Sequence, residues 1–197
     1  MNILLHTCCA PCLIYPLERL KAEGFKVDGF FYNPNIHALG EYTQRKDAVA
    51  SLARELELDI EYPLYAPVDF FHAIDHKEAL ASRCALCWEL RLKATAAYAK
   101  AHDFSHFSTT LLVSPYQNQE LLKSIGERIA GETGVAFYYE DFRKGFRDAH
   151  IRAKAQGIYC QKYCGCIYSE IERFTKSAGK NEGRQEANEL PLHRDVC

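Results

Sequence analysis

Met1-Asn-Ile-Leu-Leu-His-Thr-Cys-Cys-Ala-Pro-Cys12 is the stretch around which the chain is arranged. Residues 3–5 form a short apolar run of the kind that makes a buried strand. The run ends in three thiols, Cys8, Cys9 and Cys12, and Pro11 stands just before a helical pattern. Many α/β proteins carry a glycine-rich, phosphate-cradling loop at such a strand-to-helix turn. This turn has no glycine. Thiols in that position suit soft metals or electron transfer.

Outward from this turn, helical and strand patterns alternate. Residues 13–23 read as a helix that Gly24 ends, with Pro16 restricting where its regular part begins. Residues 26–32 read as a second strand, running into the polar turn Asn33-Pro-Asn-Ile-His37. Residues 42–56 carry apolar side chains at helical spacing, Ala48, Leu52 and Leu56 among them. A third strand at 59–64 and a short helix at 67–76 follow. Arg83-Cys-Ala-Leu-Cys87 opens a long helix that reaches residue 101. Residues 106–109 are the fourth strand, 118–132 a helix, 135–139 the fifth strand, 149–156 a basic helix and 167–176 the last helix. This alternation predicts α/β architecture, a mostly parallel sheet with helices on both faces. It predicts one domain over 1–176 and a polar, mobile tail over 177–197. Ligands of such sheets sit outside the carboxyl ends of the strands. One crevice is therefore expected to collect Cys8 and Cys9, the loop 33–37, the stretch 109–116 and the stretch 141–143.

The bulk composition narrows the class. The chain has 197 residues, 48% hydrophobic and 25% charged, with a formal net charge of -2. That is enough for a sizeable core and excludes a disordered or collagen-like chain. It also excludes a basic surface footprint spread over the whole molecule. A local basic stretch remains, Arg143, Lys144, Arg147, Arg152, Lys154 and Lys162, with Tyr159 and Tyr163 interleaved. Such a stretch suits RNA phosphates, with rings on which a base can stack. The N-terminus lacks the basic region and long apolar run of a secretion signal. No apolar run approaches the roughly 18 residues of a membrane span. A cytoplasmic protein with no membrane partner is expected, and in that compartment nine cysteines point to metal or redox work.

The cysteines fall into three groups: Cys8-Cys9 with Cys12, Cys84-x-x-Cys87, and Cys160 with Cys164-Gly-Cys166. Four thiolates in two pairs suit zinc or a [4Fe–4S] cluster. Adjacent Cys8 and Cys9 fit poorly with zinc pairs, which are spaced by two to four residues, so spacing favours iron–sulfur. A disulfide across Gly165 would close a small, easily reduced ring, a reversible two-electron store. Two further metal ligands are the alternative at Cys164 and Cys166. Cys160 is open between ligand, resolving thiol and bystander, and Cys197 reads as incidental. Among crevice loops, Asp141, Tyr116, His6 and His37 are candidate proton donors.

Six motifs occur in order: Thr7-Cys-Cys-Ala-Pro11, Asn33-Pro-Asn-Ile36, Arg83-Cys-x-x-Cys87, Thr109-Thr-Leu-Leu112 with Ser114-Pro115, Asp141-Phe-Arg143, and Tyr163-Cys-Gly-Cys166. Together, over about residues 1–175, they resemble the QueH-type epoxyqueuosine reductases. The resemblance implies a Rossmann-like, adenine-nucleotide alpha-hydrolase-like sheet with a cysteine-rich C-terminal helical extension. It implies reduction of epoxyqueuosine to queuosine at the wobble position of tRNA, with a [4Fe–4S] cluster, a further iron close by and no cobalamin. The electron donor is not identified by it. Carried over by position, Cys8, Cys9, Cys84 and Cys87 match the cluster ligands, and Cys164 with Cys166 matches a redox-active disulfide. Cys12 stands where some members have Asp and is the candidate for the second metal or an alternative cluster ligand. Asp141 joins Cys164 and Cys166 as a catalytic candidate. Asn33, Asn35, Tyr42, Arg45, Tyr116, Arg143 and Tyr163 are the substrate candidates. Two other functions compete. A zinc-stabilised RNA-binding module explains the thiol pairs and the basic stretch but not vicinal Cys8-Cys9. A sulfur-transfer enzyme on a related sheet lacks its Ser-Gly-Gly phosphate loop here.

Overall fold

The computed structural model describes residues 1–182. In chain order it contains β1 (Asn2–His6), α1 (Ala10–Ala22), β2 (Lys26–Phe30), α2 (Leu39–Glu55), β3 (Ile60–Glu61), α3 (Pro67–Ile74) and α4 (Leu80–Ala101). There follow β4 (His106–Thr109), a 3-10 turn (Thr110–Val113), α5 (Gln119–Thr133), β5 (Ala136–Phe137), a second 3-10 turn (Phe142–Gly145), α6 (Phe146–Ala155) and α7 (Ile167–Glu182). Among the described residues, no helix is long and apolar enough to cross a membrane.

The five strands form one parallel sheet in the order β3-β2-β1-β4-β5. β1 is central, and Ile3, Leu4 and Leu5 are buried on both faces, as an interior parallel strand requires. The chain steps outward from β1 through β2 to β3, then crosses to β4 on the other side. The order therefore reverses between β1 and β4, and the crevice of such a sheet opens at that point. The register pairs His6 with Thr109 there, so the turn after β1 faces the turn after β4.

The outer strands are shorter than the sequence pattern predicts. β3 has two residues, because Pro63 has no N–H with which to extend the ladder. β5 also has two, which pair with His106 and Phe107 of β4. α1 begins at Ala10, three residues before the expected start, with Cys9 as its N-cap. α7 runs to Glu182 and so occupies part of the stretch expected as tail. The remainder, with Cys197, lies outside the described residues.

One close approach fixes the helix layer beside the crevice. Gly145 lets the Tyr15 ring of α1 lie against the start of α6, since a Cβ there would be 2.0 Å from the ring. Tyr15 also meets Phe142 edge-on, with centroids 6.3 Å apart.

Candidate active site

The turn after β1 is held from both sides. Asn33, past the end of β2, donates from Nδ2 to the Thr7 carbonyl at 2.9 Å. Cys8 N–H donates to Thr110 Oγ1 at 3.0 Å, and that hydroxyl donates to Cys8 Sγ at 3.2 Å. Cys9 Sγ accepts the Cys12 N–H at 3.4 Å and so caps α1 with sulfur. These bonds draw three thiols together: the sulfurs of Cys8, Cys9 and Cys12 lie within 4.8 Å of one another. Three soft donors so close, with Cys9 and Cys12 buried, could hold a soft metal ion. A hydrogen bond with Cys12 lowers the Cys8 pKa, but contact with Cys9 and burial together push it well above the usual thiol range.

Nearby, a cavity of about 370 Å³ is lined by four more thiols. Cys84 and Cys87 reach it from α4, and Cys164 and Cys166 from the loop before α7. Burial pushes Cys84 up to about 11 and Cys87 up to about 12. Cys164 is raised by burial too, against the pull of Arg91. Cys164 and Cys166 are free thiols, so the disulfide implied by the resemblance is not formed in this structure. Gly165 between them sits at φ +137, a conformation that suits glycine, with Asn35, Ile36 and Arg45 packed closely around it. The four thiols expected to share a cluster, Cys8, Cys9, Cys84 and Cys87, are thus divided between the turn and the cavity. Two arginines act electrostatically across that division. Arg91 interacts with Cys87, Cys164, Cys8 and Cys84, and Arg45 with Cys9 and Cys164.

Three arginines here are almost wholly buried: Arg45, Arg83 and Arg91. Arg45 donates from Nε to Glu41 at 2.7 Å, from Nη1 to the Cys164 carbonyl at 2.9 Å and from Nη2 to the Tyr163 carbonyl at 3.0 Å. Its guanidinium also lies 5.5 Å from the centre of the Tyr163 ring. It clamps the Cys-Gly-Cys loop onto α2. Arg83 reaches both oxygens of Glu172 on α7, at 2.9 and 3.0 Å. Arg91 donates from Nε to the Cys87 carbonyl at 3.3 Å. Arg91 and Trp88 both line the cavity and were absent from the sequence candidates. Helical spacing could have found them, since Cys84, Trp88 and Arg91 recur at i, i+4 and i+7 and share a face.

The family model described as "Epoxyqueuosine reductase QueH" matches residues 3–172. The chain belongs to this family. Among QueH relatives, one from Dehalococcoides mccartyi is 39% identical over 176 residues, which is 89% of this chain and 96% of that protein. One from Thermotoga maritima is 37% identical over 185 residues, covering 90% and 94%. One from Haemophilus influenzae is 32% identical, covering 92% and 77%. All three carry the name epoxyqueuosine reductase, so this chain is an enzyme of the oxidoreductase class. A solved structure, a predicted subunit of tRNA methyltransferase from Methanocaldococcus jannaschii, shares the fold. Its TM-score is 0.54 at 12% identity, covering 100% of this chain and 95% of that one.

The other candidate residues divide by position. Asn35, Tyr116 and Tyr163 line the cavity with the thiols. Asn35 Oδ1 is buried without a hydrogen-bond partner, whereas Tyr116 is 56% exposed. Tyr163 donates its hydroxyl to the His37 carbonyl at 2.7 Å. Tyr42 is core: it stacks on Tyr65 at 4.1 Å and packs on Phe31. Asp141 and Arg143 do not line the cavity. Asp141 Oδ1 caps the second 3-10 turn by accepting the Arg143 N–H at 3.1 Å, and its carboxylate pairs with the Arg143 side chain. That hydrogen-bonded pairing holds Asp141 below its ordinary carboxylate value. Within the basic stretch, Arg152 is paired with Glu18 on α1. A larger open groove, about 620 Å³ along α2 and β3, contains no thiol.

His6 is wholly buried between Thr109 Oγ1 at 2.9 Å and the Tyr32 carbonyl at 3.2 Å. Burial first, then the nearby Arg91 charge, lower its pKa from 6.5 to about 3. It is therefore neutral in the folded state, and a neutral core ring rather than a proton donor. Below pH 6.5 the unfolded chain binds a proton here that the folded chain refuses until about pH 3. Stability is then full above 6.5 and falls as the pH drops, by at most about 1.4 kcal/mol per pH unit from this group. His6→Gln is expected to flatten the pH dependence of urea unfolding between pH 6.5 and 4, and an unchanged slope would contradict a neutral His6.

Proposed function

We propose that this chain reduces epoxyqueuosine at the wobble position of tRNA to queuosine, in the cavity between α4 and the Cys-Gly-Cys loop. The observation that carries this is a pair of thiol groups from three distant segments: Cys8, Cys9 and Cys12 at the turn after β1, and Cys84, Cys87, Cys164 and Cys166 around the cavity, with Arg91 acting electrostatically on both. The donor set is all sulfur, and three of its sulfurs already stand within 4.8 Å of each other. A buried guanidinium nitrogen of Arg91 beside them has no partner, as expected of a site made for anionic thiolates. Cys8, Cys9, Cys84 and Cys87 would hold a [4Fe–4S] cluster and Cys12 a further iron. Bound there, they would supply single electrons and a Lewis acid for the epoxide oxygen.

The remaining work falls to side chains. Turning an epoxide into an alkene consumes two electrons and two protons and releases water. Cys164 and Cys166, kept as thiols, would release two electrons and two protons when they join as a disulfide, which matches that need. An outside electron donor must then restore the dithiol. Asn35 Oδ1 offers an unused acceptor to a polar group of the substrate. Phe70 and Trp88 provide dry walls. Tyr116, exposed at the mouth, gives a face on which an extruded base can stack. The basic stretch around Arg143, Lys144 and Lys162 would take the phosphates of the anticodon arm. A tRNA substrate would be met in the cytoplasm.

The deciding experiment is an anaerobic assay on tRNA bearing epoxyqueuosine, with iron and sulfide quantified on the same sample. Queuosine formation is expected. No product from reduced protein with a full complement of iron and sulfide would sink the reading. Zinc without iron would support the RNA-binding module instead. A Cys164→Ser, Cys166→Ser double variant, driven by a chemical reductant, should turn over roughly tenfold or more slowly with iron content unchanged. Equal turnover would remove the pair from the reaction.

A further inference from the structure

Arg91 is a buried charge with no carboxylate paired to it among the described residues. It is 1% exposed and lies on α4, one helical turn beyond Cys87. Its Nε donates to the Cys87 carbonyl, while Nη2, sealed from solvent, makes no hydrogen bond. The other two buried arginines differ, since Arg45 is paired with Glu41 and Arg83 with Glu172. The groups around Arg91 are thiols from three segments, Cys87, Cys164, Cys8 and Cys84, with His6 also within electrostatic reach. Desolvation disfavours the guanidinium, but arginine does not lose its proton in proteins. A permanent positive charge in the interior is costly unless an anion accompanies it.

We infer that Arg91 is the counter-charge of a metal–thiolate anion, a positioning residue that sets how tightly the crevice holds soft metal and how readily a redox-active occupant takes an electron. The inference rests on the metal-binding part of the function proposed above and not on its substrate. Thiols bind metal as thiolates, releasing one proton each. A divalent ion with four thiolates carries a net charge of 2−, and the buried guanidinium offsets part of it. Arg91 is therefore uncompensated in the metal-free protein and satisfied in the loaded one. Its removal should have opposite effects on the two forms, which a purely structural residue would not show.

The test uses the full-length chain, metal-free and with Co2+ as the probe, in the parent and in Arg91→Met, Arg91→Gln and Arg91→Lys. Arg91→Met keeps the apolar length without the charge. Its metal-free form should melt at or above the parent temperature, while cobalt should bind roughly tenfold or more weakly, read from the thiolate-to-cobalt absorption. Arg91→Lys should recover most of the affinity that Arg91→Gln loses. In iron-loaded protein, the reduction potential of Arg91→Met should move to more negative values, because the added electron no longer has a cation beside it. A variant that melts lower by the same amount with and without cobalt, and binds cobalt like the parent, would overturn the inference. Should Arg91→Met fail to fold, equal cobalt affinity in the Lys and Gln variants would overturn it as well. No substrate enters these measurements, so their failure would leave the reductase reading untouched, and failure of the tRNA assay would leave them interpretable.

Discussion

Arg45→Ala is expected to lower folding stability by about 3–5 kcal/mol, the cost of breaking a buried ion pair by removing one partner. Small proteins are stable by about 5–15 kcal/mol, so this is a large fraction of the total. Three losses combine. Glu41 keeps its bond from the Tyr159 hydroxyl at 2.6 Å but loses its cation. The carbonyls of Tyr163 and Cys164 lose their donors in a buried setting. The Tyr163 ring loses the guanidinium beside it. Arg45→Lys should recover little, because an ammonium cannot present the planar fork that reaches a carboxylate and two carbonyls at once. The effect should be greatest in the Cys-Gly-Cys loop. Limited proteolysis is expected to cut between residues 158 and 167 in the variant well before it cuts the parent. A urea-unfolding loss below about 1 kcal/mol, the range of an exposed ion pair, would show that the clamp is incidental.

Arg45 also shows where the sequence was legible and where it was not. The i, i+4 spacing of Glu41 and Arg45 is visible in the chain and predicts a pair on one helix face. Nothing local shows that the same guanidinium turns inward to bind carbonyls more than a hundred residues away. An arginine near strand ends was thus a reasonable substrate candidate, and the structure gives it an internal partner. Tyr42 went the same way, because an aromatic on an amphipathic helix looks alike in a core and at a binding surface. The sheet was easier. Apolar runs alternating with helical periodicity carry the parallel topology. Of the segments expected to meet in one crevice, however, the loop 33–37 and the stretch 109–116 send Asn35 and Tyr116 to the cavity, and Cys8, Cys9, Asp141 and Arg143 do not line it. The N-terminus of α1 was missed by three residues because cysteine is not among the usual capping residues, and only the fold shows Cys9 accepting the Cys12 N–H. Arg91 was missed for another reason. Its position on the stripe of Cys84 and Trp88 was readable, but its lack of a carboxylate partner among the described residues is a property of the packed interior.

The Cys12 substitution separates the two thiol groups. Single serine variants of Cys8, Cys9, Cys84 and Cys87, purified without oxygen, are expected to lose bound sulfide and the brown chromophore, with reductase activity falling to background. Cys12→Ser should keep its sulfide and lose only part of its iron. The reason is geometric and chemical together. Cys8, Cys9 and Cys12 are close enough to hold one ion among themselves, yet the proposed cubane needs four ligands, and the family resemblance implies that Cys84 and Cys87 on α4 supply the other two. Cys12 then remains for a separate ion, with its sulfur beside those of Cys8 and Cys9. Cys160→Ser supplies the comparison. Cys160 does not line the cavity, and its thiol donates to the Ile158 carbonyl at 3.5 Å, so iron, sulfide and activity should all stay at parental levels. The opposite result is equally readable. If Cys84→Ser keeps its sulfide while Cys12→Ser loses it, the cluster belongs to the turn after β1. Cys84 and Cys87 would then work with Cys164 and Cys166, the thiols with which they share the cavity.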